Sequence, residues 1–316
     1  MKLKELEINW MHLVADFGLW IEGQQESLVK PLSPGVEADV FCVKADGVPA
    51  YIIKRWRRDF APLRTPQEQF DLLDKARSLN LPISRAVGWG ADASGRGILA
   101  TDCDGEPLKT PTLEQIEVFA SALSVIHDAP FKEFGFETPK DNRSFLKDLI
   151  GTRSQFPGLD SLSHSDIRAV LEQLIEFAPS EKFSLIHGDY NLGNLLFKGT
   201  QFSVIDWTTS RVGDFRSDLA WSSFLLWIYQ NEQYRMRFIE SYARSRDIAL
   251  DPNEFRVFEL IAGLQWILIR RQFPVGGDLN KAYDFVKARL IHFDIDGGFI
   301  LEARRASISN KPTEEV

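Results

Sequence analysis

Between Phe183 and Trp207 the chain reads FSLIHGDYNLGNLLFKGTQFSVIDW. This stretch constrains the fold more than any other. Its apolar runs, Phe183–Ile186, Leu195–Phe197 and Phe202–Ile205, are three or four residues long. That is the length of strands and too short for helices. From Asp214 onward nearly everything carries helical spacing, so a small β element must sit within a largely helical part of the chain. The last two runs flank Lys198-Gly199-Thr200-Gln201, a hairpin signal. A hairpin of that length returns the chain close to where it left, so Asn194 and Asp206 should face one point in space. A carboxylate and an amide oxygen with open positions suit Mg²⁺, which keeps waters and takes further ligands from phosphates. Asp189, at the end of the first strand, is left to meet a hydroxyl nucleophile.

The rest of the chain divides by pattern. Val40–Lys44 and Ala50–Trp56 are β-type runs around Ala45-Asp46-Gly47. Thr65-Pro66-Gln67-Glu68 opens a helix with an N-cap, a proline at the first helical position and a capping box. Phe70, Leu73, Ala76 and Leu79 continue it at helical spacing. A strand over Gly97–Thr101 follows the turn-rich GADASGRG, and Thr112–His127 reads as an amphipathic helix. We therefore expect a small β-rich lobe over residues 1–103, a larger helical lobe over 104–316, and a hinge near Asp102–Glu106. The 316 residues are 44% apolar, enough for a sizeable core. A net charge of −8 argues against nucleic acid or an anionic membrane as partner. Runs such as Phe224–Tyr229 and Trp266–Ile269 are far too short to cross a bilayer. Two cysteines, Cys42 and Cys103, make neither a disulfide framework nor a metal set, and Glu5 and Glu7 stand where a signal peptide would be apolar. A reducing cytoplasm is the expected compartment, with a monomer or homodimer as the expected state.

The segment HGDYNLGN resembles the H-x-D-x-x-x-x-N catalytic loop of eukaryotic-like kinases. The longer series His187-Gly188-Asp189, Asn194, Val204-Ile205-Asp206-Trp207, Gly213-Asp214 and Asp218-Leu219-Ala220 is similar to the aminoglycoside phosphotransferase and choline kinase branch. ASALSVIHDA, Ala120–Ala129, also resembles a segment upstream of that loop. The resemblance spans roughly residues 30 to 225 and is strongest over 183–221. It implies an α+β, bilobal protein-kinase-like fold. It also implies that His187 braces the loop and that Asp218 anchors it through backbone hydrogen bonds. His127 ends a helix, where a cation suits the dipole, and is assigned no chemistry.

Kinases hold the α- and β-phosphates with a strand lysine that a helix carboxylate positions. Lys54, mid-strand among apolar neighbours, is the candidate, ahead of Lys44 beside a turn. Glu68 is the candidate carboxylate, with Asp71 as competitor; each has a local role too, Glu68 in the capping box and Asp71 beside Lys75. Ser33–Asp39, with Ser33 and Gly35, is the candidate phosphate loop, although it has one glycine and two acids. Thr101 and Cys103 should offer backbone groups to the base of ATP or GTP.

Protein kinases carry a long activation segment after the metal-binding aspartate. Here Asp206 is followed by Trp207-Thr208, and the Asp218 helix begins about a dozen residues later. That leaves no room for a peptide platform. The expected reaction is transfer of the γ-phosphate to a hydroxyl of a small molecule, a cationic one among the candidates, with Mg²⁺ as cofactor. Asp189 would orient the hydroxyl, and Arg211 would reach the moving phosphoryl group unless it pairs with Asp214. An aminoglycoside-type antibiotic is one acceptor; choline, a sugar or an amino alcohol are alternatives, as is a silent pseudokinase. Asp294 and Asp296 would suit a polyamine. Trp221, Trp227 and Tyr229 would suit a quaternary amine, although Trp221, Phe224, Leu225 and Ile228 also share core-like helical spacing.

Overall fold

The structure is a computed structural model that describes residues 1–24, 26–32, 37–45, 47–58, 63–108, 110–152, 156–273 and 276–295. In chain order the elements are β1 (Ile8–Leu13), α1 (Ala15–Glu22), β2 (Val29–Pro31), β3 (Ala38–Ala45), β4 (Val48–Trp56), α2 (Pro66–Ser78), β5 (Ala86–Asp92), β6 (Gly97–Asp102), β7 (Glu106–Pro107), α3 (Leu113–His127), α4 (Asn142–Gly151), α5 (Ser165–Glu176), β8 (Phe183–Ile186), β9 (Leu195–Lys198), β10 (Gln201–Val204), β11 (Arg211–Asp214), α6 (Phe215–Tyr229), α7 (Glu232–Ser245), α8 (Pro252–Gln272) and α9 (Leu279–Leu290). They form two compact units. The first comprises Met1–Pro111, Lys132–Phe134 and Leu192–Ser210; the second comprises Thr112–Phe131, Gly135–Asn191 and Arg211 onward.

The first unit is built on a six-stranded antiparallel sheet in the order β1-β5-β6-β4-β3-β2. The expected hairpin of β3 and β4 is present, with Val40 opposite Lys54. Side chains alternate across a strand. Ile53 therefore joins Phe17, Phe41, Val43, Val87 and Ile98 in a buried cluster on one face, and Lys54 emerges on the other. The helix expected after Thr65 forms as α2, with both halves of its capping box in place. It packs on β5 and β6. The second sheet of this unit has the order β10-β9-β7.

One stretch departs from the sequence reading. Gly90, Ala91 and Asp92 belong to β5, not to a turn. The glycines of this strand let β1 lie close: a Cβ on Gly90 would meet the Asn9 carbonyl oxygen at 2.3 Å, and one on Gly88 would meet Leu13 at 2.7 Å. The turn itself is Ala93–Gly95. There Asp92, 7% exposed, accepts from Ser94 N and Oγ and from Arg96 N and Nε.

The second unit packs α3 on α7 and α6 on α7 and α8, with α9 against α8. Beside them lies the β8–β11 ladder, in which Arg211 faces Ile186. Helix α8 is buried along most of its length. Its one deeply buried acid, Glu259, takes Arg235 at 2.5 Å and Arg289 at 3.0 Å. A buried carboxylate needs such partners, since an unpaired one would cost several kcal/mol, on the order of 3–5. Asp214, 0% exposed, is satisfied by Arg216, Asn142 and the Lys182 N–H. Among the described residues no helix is long and apolar enough to cross a membrane.

Candidate active site

The hairpin of β9 and β10 closes with Lys198 opposite Gln201 and Leu195 opposite Val204. Gly199, at φ +64°, makes the tight turn that a side chain would strain. At its open end Ile205 N donates to the Asn194 carbonyl at 2.9 Å. Val204 N donates to Pro82 at 2.6 Å, fixing the hairpin on the first unit. The convergence of Asn194 and Asp206 expected from the hairpin is thus present in the backbone. Asp206 sits at φ 64°, ψ 57°, left-handed for a residue with a Cβ. A strained residue of this kind persists only where its surroundings hold it, at a cost of about 1–3 kcal/mol.

The surroundings are identifiable. Lys54 Nζ lies 2.8 Å from Asp206 Oδ1, and its side chain is 19% exposed. The Thr208 hydroxyl donates to the same oxygen at 3.0 Å. The Arg64 guanidinium donates to the carbonyls of Trp207 at 3.3 Å, Thr208 at 2.5 Å and Ser210. Burial pushes Arg64 down from its ordinary value, but a guanidinium stays charged at any physiological pH.

Glu68, the expected partner of Lys54, faces elsewhere. Its carboxylate accepts from Thr65 N at 2.7 Å and Thr65 Oγ1 at 2.9 Å. The Thr65 N–H holds it below the usual carboxylate range. Glu68 is exposed; the inward polar residue of α2 is Gln69, 4% exposed. Gln69 Nε2 donates to Thr208 Oγ1 at 3.2 Å. Sequence reading passed over Gln69 and Thr208 because neither ionises and no spacing rule marks them.

Thr101 lies in β6 between Ile52 and Ala86. The Cys103 N–H is engaged within the sheet, donating to Ala50 at 2.9 Å, so it is not a donor for a base in this geometry. Ser33 and Gly35 lie outside the described residues, as does Asp296.

In the second unit, Asp189 is held by α6. Asp218, 1% exposed, accepts from His187 N at 2.6 Å and Gly188 N at 2.8 Å. Trp221 Nε1 donates to Asp189 Oδ1 at 2.9 Å, and Ser222 Oγ donates to the Tyr190 carbonyl at 2.7 Å. Residues 218, 221 and 222 share one helix face by their i, i+3, i+4 spacing. One face of one helix thus fixes four consecutive loop residues. Asn191 Nδ2 also donates to Asp189 Oδ1, at 3.1 Å. His187 is fully buried, and its Nδ1 accepts from Asp189 N at 3.3 Å, a bracing contact.

His127 lies behind this loop, its Nδ1 2.6 Å from Tyr242 Oη and its Nε2 3.3 Å from Asp218. Complete burial depresses its pKa despite Asp218. Burial thus favours its neutral, hydrogen-bonding form over the helix-end cation that its position suggests. Burial works to raise Asp218, but His127 and the loop N–H groups outweigh it, and the net shift is downward.

Arg211 donates to Thr152 Oγ1 at 3.3 Å and lies over Phe145. Asp214 bonds to Arg216 rather than to Arg211. The aromatic trio has internal duties. Trp221 serves Asp189, Lys281 covers Trp227 at 4.3 Å, and Tyr229 Oη accepts from Trp266 at 3.0 Å.

Among the described residues, no group of three or more His, Cys, Asp or Glu gathers into a metal cage. The oxygen pair Asn194–Asp206 suits Mg²⁺, which needs only one or two protein ligands beside phosphates and waters. The side chain of Asp206 is 38% exposed, so it is accessible to such an ion.

The model of a phosphotransferase enzyme family matches residues 28–257. No curated protein sequence matches. Among solved structures, a thermostable mutant of aminoglycoside phosphotransferase APH(4)-Ia, in ternary complex with ADP and hygromycin B, superposes with a TM-score of 0.63 at 17% identity, covering 88% of this chain and 99% of that one. Macrolide 2'-phosphotransferase MphH from Brachybacterium faecium gives 0.57 at 15%, covering 87% and 97%. A choline/ethanolamine kinase family protein from Mesorhizobium loti gives 0.52 at 15%, covering 90% and 89%. At these identities the likeness is one of fold, the protein-kinase-like fold.

Proposed function

We propose that this chain, which belongs to the phosphotransferase enzyme family, transfers the γ-phosphate of ATP to a hydroxyl of a small molecule, with Asp189, Lys54, Asn194 and Asp206 as its working residues. The observation that carries the reading is the Lys54–Asp206 contact. It joins residues 152 positions apart in sequence and puts a cation and an accessible carboxylate together on the sheet face opposite the core cluster.

Lys54 holds the α- and β-phosphates as a point charge. Asn194 and Asp206 would hold Mg²⁺, which when bound neutralises charge on the β- and γ-phosphate oxygens. Asp189 orients the acceptor hydroxyl. As the hydroxyl oxygen bonds to the γ-phosphorus and the bond to the departing nucleotide oxygen breaks, the hydroxyl proton passes to the Asp189 carboxylate. A carboxylate of reference pKa about 4 is a weak base at neutral pH, so positioning matters more than early proton abstraction. Arg211, steadied by Thr152, is the candidate contact for the moving phosphoryl group.

The relatives named above include enzymes for aminoglycosides and macrolides and a choline/ethanolamine kinase family member. They support a small hydroxyl-bearing acceptor. The internal use of Trp221, Trp227 and Tyr229 argues against an aromatic cage for choline at that position. The test is ATP consumption against a panel of aminoglycosides, macrolides, sugars and amino alcohols, run with the wild type and Asp189→Asn. Transfer to at least one hydroxyl compound, slowed roughly a hundredfold or more in the variant, is expected. Nucleotide binding with no transfer to any acceptor would favour a silent regulator, and full activity in Asp189→Asn would remove Asp189 from the reaction.

A further inference from the structure

Helix α2 has no carboxylate on Lys54. Its first-turn acid, Glu68, is committed to the helix cap, Asp71 and Asp74 are exposed, and its inward polar side chain is the amide of Gln69. A helix in this place usually acts on the lysine. Here it reaches the aspartate by another route. Gln69 Nε2 donates to Thr208 Oγ1, Thr208 donates to Asp206 Oδ1, and Lys54 donates to that same oxygen.

The direction of the chain matters. A hydroxyl has one proton. When its oxygen accepts from an amide N–H, the proton is available to the next acceptor, and here that acceptor is a carboxylate. Gln69 and Thr208 are 4% and 2% exposed, so water competes little for either bond. The backbone of the same turn is held independently by Arg64, one residue before the cap of α2. Two points at the start of α2 therefore grip residues 207–210, and one of them ends on Asp206.

The geometry points to Gln69 and Thr208 as positioning residues for the metal-binding carboxylate. Through Thr208, α2 sets the orientation of Asp206 and hence the affinity for the Mg²⁺–nucleotide complex. This rests on the phosphotransferase reading above. It implies that an amide is required at position 69: a carboxylate there would accept the Thr208 proton, reverse the hydroxyl and leave Asp206 without that donor.

The experiment is calorimetric titration of the full chain with a non-hydrolysable ATP analogue, with and without MgCl₂. The proteins are wild type, Thr208→Ser, Thr208→Val and Gln69→Glu, each first checked by thermal melting. The expected result is a loss of roughly tenfold in the magnesium-dependent part of the affinity for Thr208→Val and Gln69→Glu. That is the scale of one hydrogen bond to a charged group. Thr208→Ser should restore wild-type behaviour, and metal-free affinity should be unchanged throughout. Magnesium-dependent binding by the wild type that Thr208→Val leaves intact would overturn the inference while sparing the phosphotransferase reading. So would Gln69→Glu binding as tightly as wild type or more tightly. Should Gln69→Glu not fold, the Thr208 pair decides alone. Absence of magnesium-dependent binding in the wild type would overturn both.

Discussion

Replacing Trp221 with phenylalanine isolates one contact on the proposed catalytic aspartate. The substitution keeps an aromatic body in a site that is 8% exposed and deletes the indole N–H that lies 2.9 Å from Asp189 Oδ1. A hydrogen bond to a charged group is worth about 1.5–3 kcal/mol. At about 1.4 kcal/mol per factor of ten, full loss in the transition state slows transfer about 10- to 150-fold. Asn191 donates to the same oxygen at 3.1 Å and retains part of the orientation, so the lower end, about tenfold, is expected. The ring body remains and Asp218 and Ser222 still hold the loop backbone, so the fold should lose less than about 2 kcal/mol. The assay is steady-state transfer with saturating acceptor, reading kcat and the nucleotide KM separately. A lower kcat with unchanged nucleotide KM is expected, because Lys54, Asn194 and Asp206 are untouched. A folded variant with kcat within twofold of wild type would refute the reasoning. A rise in nucleotide KM alone would show that Trp221 acts on something other than Asp189.

Asp206→Asn should keep the fold and weaken magnesium-dependent nucleotide binding by at least about tenfold, since it removes the charge from the Lys54 pair; calorimetry reads this. Asp218→Asn should lower stability by about 3 kcal/mol in urea unfolding, because one buried carboxylate serves two loop N–H groups and faces His127. Asp92 gives a pH effect. Burial acts to raise its pKa, but the bonds from Ser94 and Arg96 outweigh it and hold it at about 2. Its folded value lies below its unfolded one, so its contribution is complete above about pH 4 and fades as the pH falls toward 2. Acid melts of Asp92→Asn should lack that component, and an acid transition identical to wild type would count against it.

The parts of the fold legible in the sequence were those written in local period. The two hairpins, the capped α2 and the helices after Asp214 each carry their pattern within a short window. Strand β5 hid because its glycines imitate a turn; their purpose, room for β1, is visible only once β1 lies beside them. The convergence of Asn194 and Asp206 followed from hairpin geometry alone. The resemblance and its apolar neighbours single out Lys54, but not its contact with Asp206. Gln69, Thr208 and Trp221 were not legible in this way. Their roles depend on a donor arriving from another element, and amides, hydroxyls and indoles have no signature spacing. Glu68 shows the converse: its cap role was written locally, and that local bond is the one it makes. His127 reads as a cation from its place in the helix and as neutral from its burial, and burial wins.

The β9–β10 hairpin belongs to the first unit although much of the second precedes it in the chain. For a polypeptide made from its N-terminus on a ribosome, this is a matter of timing. When residue 111 has emerged, the six-stranded sheet is complete, but β7 has no partner and the Val204–Pro82 hydrogen bond has no donor. Lys54 waits as well, until Asp206 is synthesised. The Lys54–Asp206 pair proposed to bind nucleotide is therefore assembled late, after three helices and a strand of the second unit have been made. A nascent chain arrested before residue 206 carries a strand lysine without its carboxylate, and a fragment ending at residue 111 would be a sheet without that carboxylate.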